Sequence, residues 1–235
     1  MDRFNRLSLI IGEDKLALLN NKKVAVFGLG GVGGNVCDAL ARSGIGHLAL
    51  IDNDKVSITN INRQIIAKES TIGLDKVDVM EAHLKDINPD IGIEKYKTFY
   101  LPGNEDIDFT KYDYIVDAID TVSAKIDIVL KCKTLQVPVI SALGCGNKLD
   151  PTRLEVSDIS KTSYDPLAKV LRRELRQKGV THLKVVYSKE PPIETSEDYV
   201  EEGVNKRKIP GSSAFVPPVA GIIIASEVVK DLIKD

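Results

Sequence analysis

The chain has 235 residues, 43% of them hydrophobic, with a formal net charge of −2; that is enough for one large α/β core, or a core with a small appendage. The near-neutral charge excludes a globally basic nucleic-acid coat, so any RNA contact must be a local patch. Cys37, Cys132 and Cys145 form no C-x-x-C pair, which argues against a zinc ribbon or a disulfide frame and for reduced thiols in a cytoplasmic setting.

The first 23 residues read as a helical lead-in, with Leu7, Ile10 and Ile11, then Leu16, Leu18 and Leu19, divided by Gly12. Arg3 and Arg6 interrupt the opening MDRFNRLSLI, so it does not read as a signal peptide. Val24–Phe27 is a short apolar run, as expected of a central parallel strand. Gly28, Gly30 and Gly33 then form G-x-G-x-x-G, with Gly31 and Gly34 added. Val36, Leu40 and Ala41 follow at helical spacing, Gly44 and Gly46 stop the helix, and His47–Ile51 forms a second strand ending at Asp52. Such a strand–turn–helix–strand unit sets helix-terminal N–H groups against a phosphate and an acid near a ribose.

The glycine pattern alone says only nucleotide, most often NAD or FAD. Asn60, Asn62, Arg63 and Gln64, in N-I-N-R-Q, point elsewhere. They fall just past the second strand, where a ligand would lie, and an arginine there suits a forked grip on phosphate oxygens. NAD needs no such cation; a triphosphate does.

Gly73 precedes an amphipathic helix with Val77, Met80, Leu84 and Ile87, stopped at Asn88-Pro89. Lys76 sits in its first turn, against the helix dipole, and reads either as a surface lysine or as a phosphate ligand. Ile93–Thr98 is a third strand, and Glu105–Lys111 an acidic link. Tyr114–Ile119 is a fourth strand, leading to Asp120 and Thr121 at the carboxyl end where ligands bind. Asp120 can cap the next helix, Ser123–Leu135, or hold a cation, or do both. Val137–Leu143 is a fifth strand, and Cys145 in the turn after it reads as a packed thiol rather than a nucleophile, since no histidine stands near it in sequence.

Thr152–Ile159 reads as an extended segment, antiparallel to the others. Asp165 caps and Pro166 opens a helix that ends at Gly179. Leu167, Val170, Leu171 and Leu175 give its inner face, and Lys169, Arg172, Arg173, Arg176 and Lys178 crowd the remainder. That surface can meet an RNA backbone or can simply be solvated. His182–Tyr187 is a further strand, residues 190–213 read as a mobile crossover loop, and Val219–Ile233 as a terminal helix. The longest apolar stretch, Ala214–Ile233, contains Pro217, Pro218, Glu227 and Lys230 and so reads as a buried helix rather than a membrane span.

D-N-D-x-V-x-x-x-N-x-N-R-Q over 52–64, together with G-x-x-K-V over 73–77, resembles the adenylating enzymes related to the ubiquitin-activating enzyme. K-T-x-x-D-P-L-A-x-x-L-R over 161–172, followed by V-x-Y-S-x-E over 185–190, is similar to one branch of them, the tRNA threonylcarbamoyladenosine dehydratases. The likeness covers almost the whole chain. It implies one adenylation domain over 1–235, with a basic helix insertion at about 163–189 and the crossover loop at about 190–213. The implied fold is α/β and Rossmann-like, an ATP-binding fold whose mostly parallel central sheet is extended by antiparallel strands and carries helices on both faces.

The resemblance further implies an ATP site formed by Gly28, Gly30, Gly31, Gly33, Asp52, Asn60, Asn62, Arg63, Lys76, Asp120 and Thr121. Arg63, Lys76 and Asp120 would act in catalysis, Asp120 on Mg²⁺, and Arg6 would reach the partner subunit's ATP in a homodimer. Lys125 stands where many relatives carry arginine on phosphate. A tRNA would lie on Lys169, Arg172, Arg173, Arg176 and Lys178. A sulfur-transfer partner (a cysteine desulfurase or acceptor) and a monovalent cation are both compatible with the family.

The implied reaction adenylates the carboxylate of threonylcarbamoyladenosine, next to the anticodon, and the carbamoyl group then closes a ring. No cysteine follows Cys145 to take an acyl group, and intramolecular attack needs no protein nucleophile. Three alternatives stay open: activation of the C-terminus of a ubiquitin-like sulfur carrier, which would require that protein for pyrophosphate exchange; an NAD-dependent oxidoreductase, which would show nicotinamide binding; and a nucleotide-binding RNA adaptor, which would release no AMP. Among His47, His83 and His182 no acid/base partner for a nicotinamide stands out.

Overall fold

A computed structural model describes residues 3–194 and 210–234. Among the described residues seven strands form one sheet in the order β3-β2-β1-β4-β5-β7-β6. They are β1 (Lys23–Phe27), β2 (His47–Ile51), β3 (Gly92–Tyr96), β4 (Tyr114–Asp117), β5 (Val139–Ala142), β6 (Leu154–Asp158) and β7 (Lys184–Ser188). The first five run parallel, β7 joins β5 in parallel, and β6 pairs with β7 antiparallel at the edge.

Among the described residues seven α-helices flank the sheet: α1 (Asn5–Ile11), α2 (Glu13–Asn20), α3 (Gly33–Arg42), α4 (Lys76–Ile87), α5 (Val122–Leu135), α6 (Pro166–Gln177) and α7 (Val216–Leu232). Alternation along β1 sends Val24 and Val26 to the face covered by α3, α4 and α7, and Ala25 and Phe27 to the face covered by α5. On that second face a further apolar cluster joins α6 to β7, through Ala168, Leu171 and Leu175 against Val185 and Tyr187. Burial of both faces explains the apolar runs of the inner parallel strands β1, β2 and β4. Gly221 lets α7 cross α3 closely, since a Cβ there would fall 2.4 Å from the Val32 carbonyl oxygen.

Several boundaries differ from expectation. The lead-in is two helices broken at Gly12, whose φ of 88° ends α1. Helix α7 begins three residues before Val219, because Pro217 and Pro218 fall in its first turn, where the missing N–H groups cost nothing. Val170 points outward and Ala168 takes the inner position, as the spacing 168–171–175 requires. Most of the expected crossover loop, residues 195–209, lies outside the described residues.

Candidate active site

A cleft of about 500 Å³ opens at the carboxyl ends of the parallel strands. Its floor is the glycine turn after β1. Gly28 has a φ of 87°, and a Cβ there would sit 2.8 Å from the Ala118 carbonyl oxygen. A Cβ at Gly33 would lie 1.8 Å from the Gly28 carbonyl oxygen. These two glycines are required by packing, and Gly33 does not line the cleft. Gly30 is different: a Cβ there would meet nothing closer than 3.9 Å, so the open space at this glycine belongs to the cleft. Gly31 also lines it, and Pro217 of α7 packs on Gly31.

Asp52 leaves the end of β2 and braces this turn. The Leu29 N–H donates to Asp52 Oδ2 at 2.7 Å and the Asp54 N–H to Oδ1 at 2.8 Å. Burial raises the Asp52 carboxyl above its ordinary value, against the opposing pull of Lys76 and these N–H groups. Lys76 opens α4 with its side chain almost wholly buried. Its ammonium lies 2.7 Å from Asp54 Oδ2 and 3.9 Å from Asp52 Oδ2. The surface reading of Lys76 is therefore excluded; it is a cation at the cleft wall.

The segment after β2 folds into a short 3-10 turn, Ile58–Asn60, in which Asn60 closes a capping box by accepting from the Ser57 N–H. Asn60 lines the cleft. Asn62 does not; its amide donates to the Ser212 carbonyl oxygen at 2.9 Å. Arg63 lines the cleft with one guanidinium nitrogen fixed by the Thr59 carbonyl at 2.8 Å and Asn62 Oδ1 at 2.9 Å. Its other N–H groups have no partner among the described residues. Burial lowers the Arg63 guanidinium from its ordinary value without neutralising it.

Asp120 and Thr121 line the opposite side. Thr121 holds the N-cap position of α5 with no side-chain cap bond, so Asp120 does not cap the helix. The Asp120 carboxylate is exposed, with no partner among the described residues. Lys125 is not at the cleft: it is fully buried, paired with Asp117 and bonded to the Ala142 carbonyl. That removes it as a phosphate ligand. Cys145 lines the wall, where burial pushes its thiol up to about 12 and leaves it protonated and inert. His83 and His182 are paired with Asp38 and Asp158, and no histidine lines the cleft.

Among the cleft residues that received no role from sequence, four stand out: Gln64, Phe99, Leu167 and Gly211. Gln64 is 6% exposed, and its side-chain oxygen has no partner among the described residues. Its place in N-I-N-R-Q was the available signal. Phe99 sits past the end of β3 with 54% of its surface exposed, and nothing in sequence distinguished it from a loop aromatic. Leu167 from α6 and Gly211 from the far side of the undescribed segment also reach the cleft.

Of the five basic residues on or beside α6, Lys169, Arg173, Arg176 and Lys178 are exposed. Arg172 is not part of that open surface. Its guanidinium donates to the Ile159 and Thr162 carbonyls and to Thr162 Oγ1, at 2.8–3.2 Å, and so fixes the helix to the preceding turn. Arg6 is exposed on α1 and is not a cleft residue of its own chain. Leu9 and Ile10, one turn on from Arg6, are 83% and 81% exposed.

The model of the ThiF family matches residues 3–235. The tRNA threonylcarbamoyladenosine dehydratase of Bacillus subtilis (strain 168) is 45% identical over 245 aligned positions, covering all of this chain and 96% of that protein. The crystal structure of the Escherichia coli tRNA N6-threonylcarbamoyladenosine dehydratase, TcdA, in complex with AMP superposes with a TM-score of 0.86 at 32% identity. It covers 98% of this chain and 93% of its own. The same enzyme in complex with ATP gives a TM-score of 0.85, with the same identity and coverage.

Proposed function

The chain belongs to the ThiF family, and on that premise we propose that it catalyses the ATP-dependent dehydration of threonylcarbamoyladenosine in tRNA. The single observation that carries this is the cleft. One carboxylate-braced glycine turn, one half-tethered arginine, one buried lysine and one unpartnered aspartate converge there, with no activated thiol and no histidine.

The fit to ATP rests on what the cleft leaves open. Space at Gly30 admits a phosphate against the start of α3. Asp52, beside the turn, is placed for ribose hydroxyls, and exposed Phe99 offers a face for adenine. Arg63 Nη1 is tied to Thr59 and Asn62, so the free edge of the guanidinium is presented in one orientation to phosphate oxygens. Lys76 supplies a second cation, exchanging its contact with Asp54 for phosphate. The described residues contain no cluster of three or more His, Cys, Asp or Glu that could hold a metal. Mg²⁺ would thus be held by Asp120 and mainly by the nucleotide, and would supply charge neutralisation for the leaving pyrophosphate.

The chemistry asks little covalent work of the protein. The threonine-derived carboxylate attacks the α-phosphorus, the bond to the β-phosphate oxygen breaks, and pyrophosphate leaves. The modification's own carbamoyl group then attacks the activated carbonyl and expels AMP. Arg63, Lys76 and Asp120 align and stabilise the first step. The buried, protonated Cys145 gives no route to a thioester.

Residues 1–235 form one adenylation domain in this account, with 163–189 as the insertion that carries the RNA surface. Lys169, Arg173, Arg176 and Lys178 are its phosphate contacts, with Arg172 holding the helix in place. The exposed Leu9 and Ile10 favour a homodimer in which α1 packs on a second copy and Arg6 reaches that copy's nucleotide. Among the described residues no helix is long and apolar enough to cross a membrane, and a cytoplasmic location suits the tRNA substrate.

The test is release of AMP and pyrophosphate with tRNA that carries threonylcarbamoyladenosine, against the same tRNA without it. AMP formed only with the modified tRNA supports the proposal; AMP formed equally with both contradicts it. Runs with and without potassium ions, and with and without a cysteine desulfurase, register a monovalent cation or a sulfur-transfer partner as a rate increase.

A further inference from the structure

Asp165 is 4% exposed and uses both carboxylate oxygens at once. Oδ1 accepts from the Ala168 N–H at 3.0 Å and caps α6. Oδ2 accepts from the Gly144 N–H at 2.9 Å. Gly144 lies in the cleft wall after β5, and Leu167, in the first turn of α6, lines the same wall. One side chain thus fastens the basic helix to the cleft.

The wall continues toward the nucleotide side. The Asn147 N–H donates to the Gly211 carbonyl at 2.8 Å, and Gly211 N–H returns a bond to Asn147 Oδ1 at 2.6 Å. The Ser212 carbonyl accepts from Asn62, and Asn62 Oδ1 accepts from Arg63. From α6 to Arg63 these bonds form one chain of contacts, with the backbone from Gly144 to Asn147 and from Gly211 to Ser212 bridging between them. Arg172, midway along α6, ties the helix to the turn before it by three bonds to residues 159 and 162.

We propose that Asp165 is a positioning residue through which RNA seated on α6 acts on the nucleotide side of the cleft. It deepens the tRNA reading given above and rests on it. Phosphates bound to Lys169, Arg173 and Arg176 restrain α6; through Asp165 they restrain the 144–147 wall, and through Asn147 and Asn62 they restrain Arg63. Nucleotide then has less ordering left to impose, so RNA and nucleotide each favour the other's binding. The chemistry of the link requires a carboxylate. Two N–H donors meet two acceptor oxygens, and an asparagine has only one acceptor, so its amide nitrogen would face an N–H.

The experiment measures binding of a non-hydrolysable ATP analogue by calorimetry, with and without saturating unmodified tRNA transcript. In the native protein RNA should tighten the analogue by about fivefold or more. In Asp165→Asn that ratio should fall to about one, while each ligand alone binds within about twofold of native. Asp165→Ser, which retains an N-cap oxygen but is too short to reach Gly144, should behave the same way and guards against misfolding of the first variant. A merely structural residue would lower thermal stability and leave the ratio intact. Equal coupling in native and variant proteins, or none in the native protein, overturns the inference. The combined Lys169→Glu, Arg173→Glu and Arg176→Glu variant separates the two levels. If it binds RNA as tightly as native, the RNA reading of α6 has failed; if it loses RNA while Asp165→Asn keeps full coupling, only the link has failed.

Discussion

The Lys125 ammonium lies 3.0 Å from each carboxylate oxygen of Asp117, and neither side chain has any exposed surface. A third bond, 2.7 Å to the Ala142 carbonyl oxygen, ties the pair to the end of β5. Asp117 closes β4, so the lysine staples two strand ends beneath the cleft. Lys125→Met should cost about 3–5 kcal/mol by leaving a buried charge unpaired, and Lys125→Met with Asp117→Leu should recover much of it. Urea unfolding measures both. A phosphate ligand at this position would instead leave stability unchanged and raise the KM for ATP.

The glycines of the turn divide into two kinds, and substitution should separate them. Gly30→Ala places a methyl in the open space of the cleft, so the protein should fold normally while the KM for ATP rises about tenfold or more. Gly33→Ala drives a methyl into the Gly28 carbonyl, at 1.8 Å before relaxation. It should destabilise the fold by about 3 kcal/mol or more. Thermal melts beside initial rates distinguish the two outcomes.

Arg63→Ala should lower kcat/KM for tRNA-dependent AMP release by about 10²–10³, the cost of losing one oriented donor at developing charge. RNA affinity should stay near native, because Arg63 lies in the cleft and not on α6. Asp120→Asn should shift the Mg²⁺ dependence of the rate to higher concentration without changing thermal stability, since its carboxylate supports no described contact.

The RNA surface predicts a salt signature. Removing Lys169, Arg173 or Arg176 singly should reduce the slope of log binding constant against log salt by about one, roughly uniformly across tRNAs. Arg172→Ala should act differently: three bonds to buried acceptors are lost, so stability falls along with RNA binding.

Acid should weaken the contact of α7 with the sheet. Burial alone would raise the Asp231 and Glu227 carboxyls, but hydrogen bonds from Lys184 and neighbouring donors outweigh it and hold both below their ordinary values. Depressed carboxyls add stability that is full above the unfolded-state value, about 4, and is lost as the pH falls below it. Lys184→Met should therefore cost about 1–2 kcal/mol at pH 7 and much less at pH 3, flattening the acid limb of the stability curve.

The centre of the sheet was legible because β1, β2 and β4 are short apolar runs that end at Gly28, Asp52 and Asp117, and the antiparallel edge strand shows the half-polar pattern of LEVSD. The nucleotide turn was legible because G-x-G-x-x-G reports a local steric demand, which Gly28 and Gly33 confirm. Lys125 could not be placed from sequence because a lysine there says nothing about burial; only the pairing of β4 with β5 puts Asp117 and the Ala142 carbonyl around it. Arg172 failed for the same reason, being basic in composition and structural in contact. Phe99, Gln64 and the Asp165–Gly144 bond depend on segments far apart in the chain, brought together at the carboxyl edge of the sheet.

The most direct test of the central claim is mass analysis of nucleosides from tRNA carrying threonylcarbamoyladenosine, incubated with the protein, ATP and Mg²⁺. The account predicts that the modified nucleoside becomes lighter by the mass of one water, with one AMP formed per nucleoside converted, and that Arg63→Ala slows the change by about 10²–10³. An unchanged mass, with AMP appearing only when a ubiquitin-like protein is added, would contradict it and make α6 a protein-docking surface.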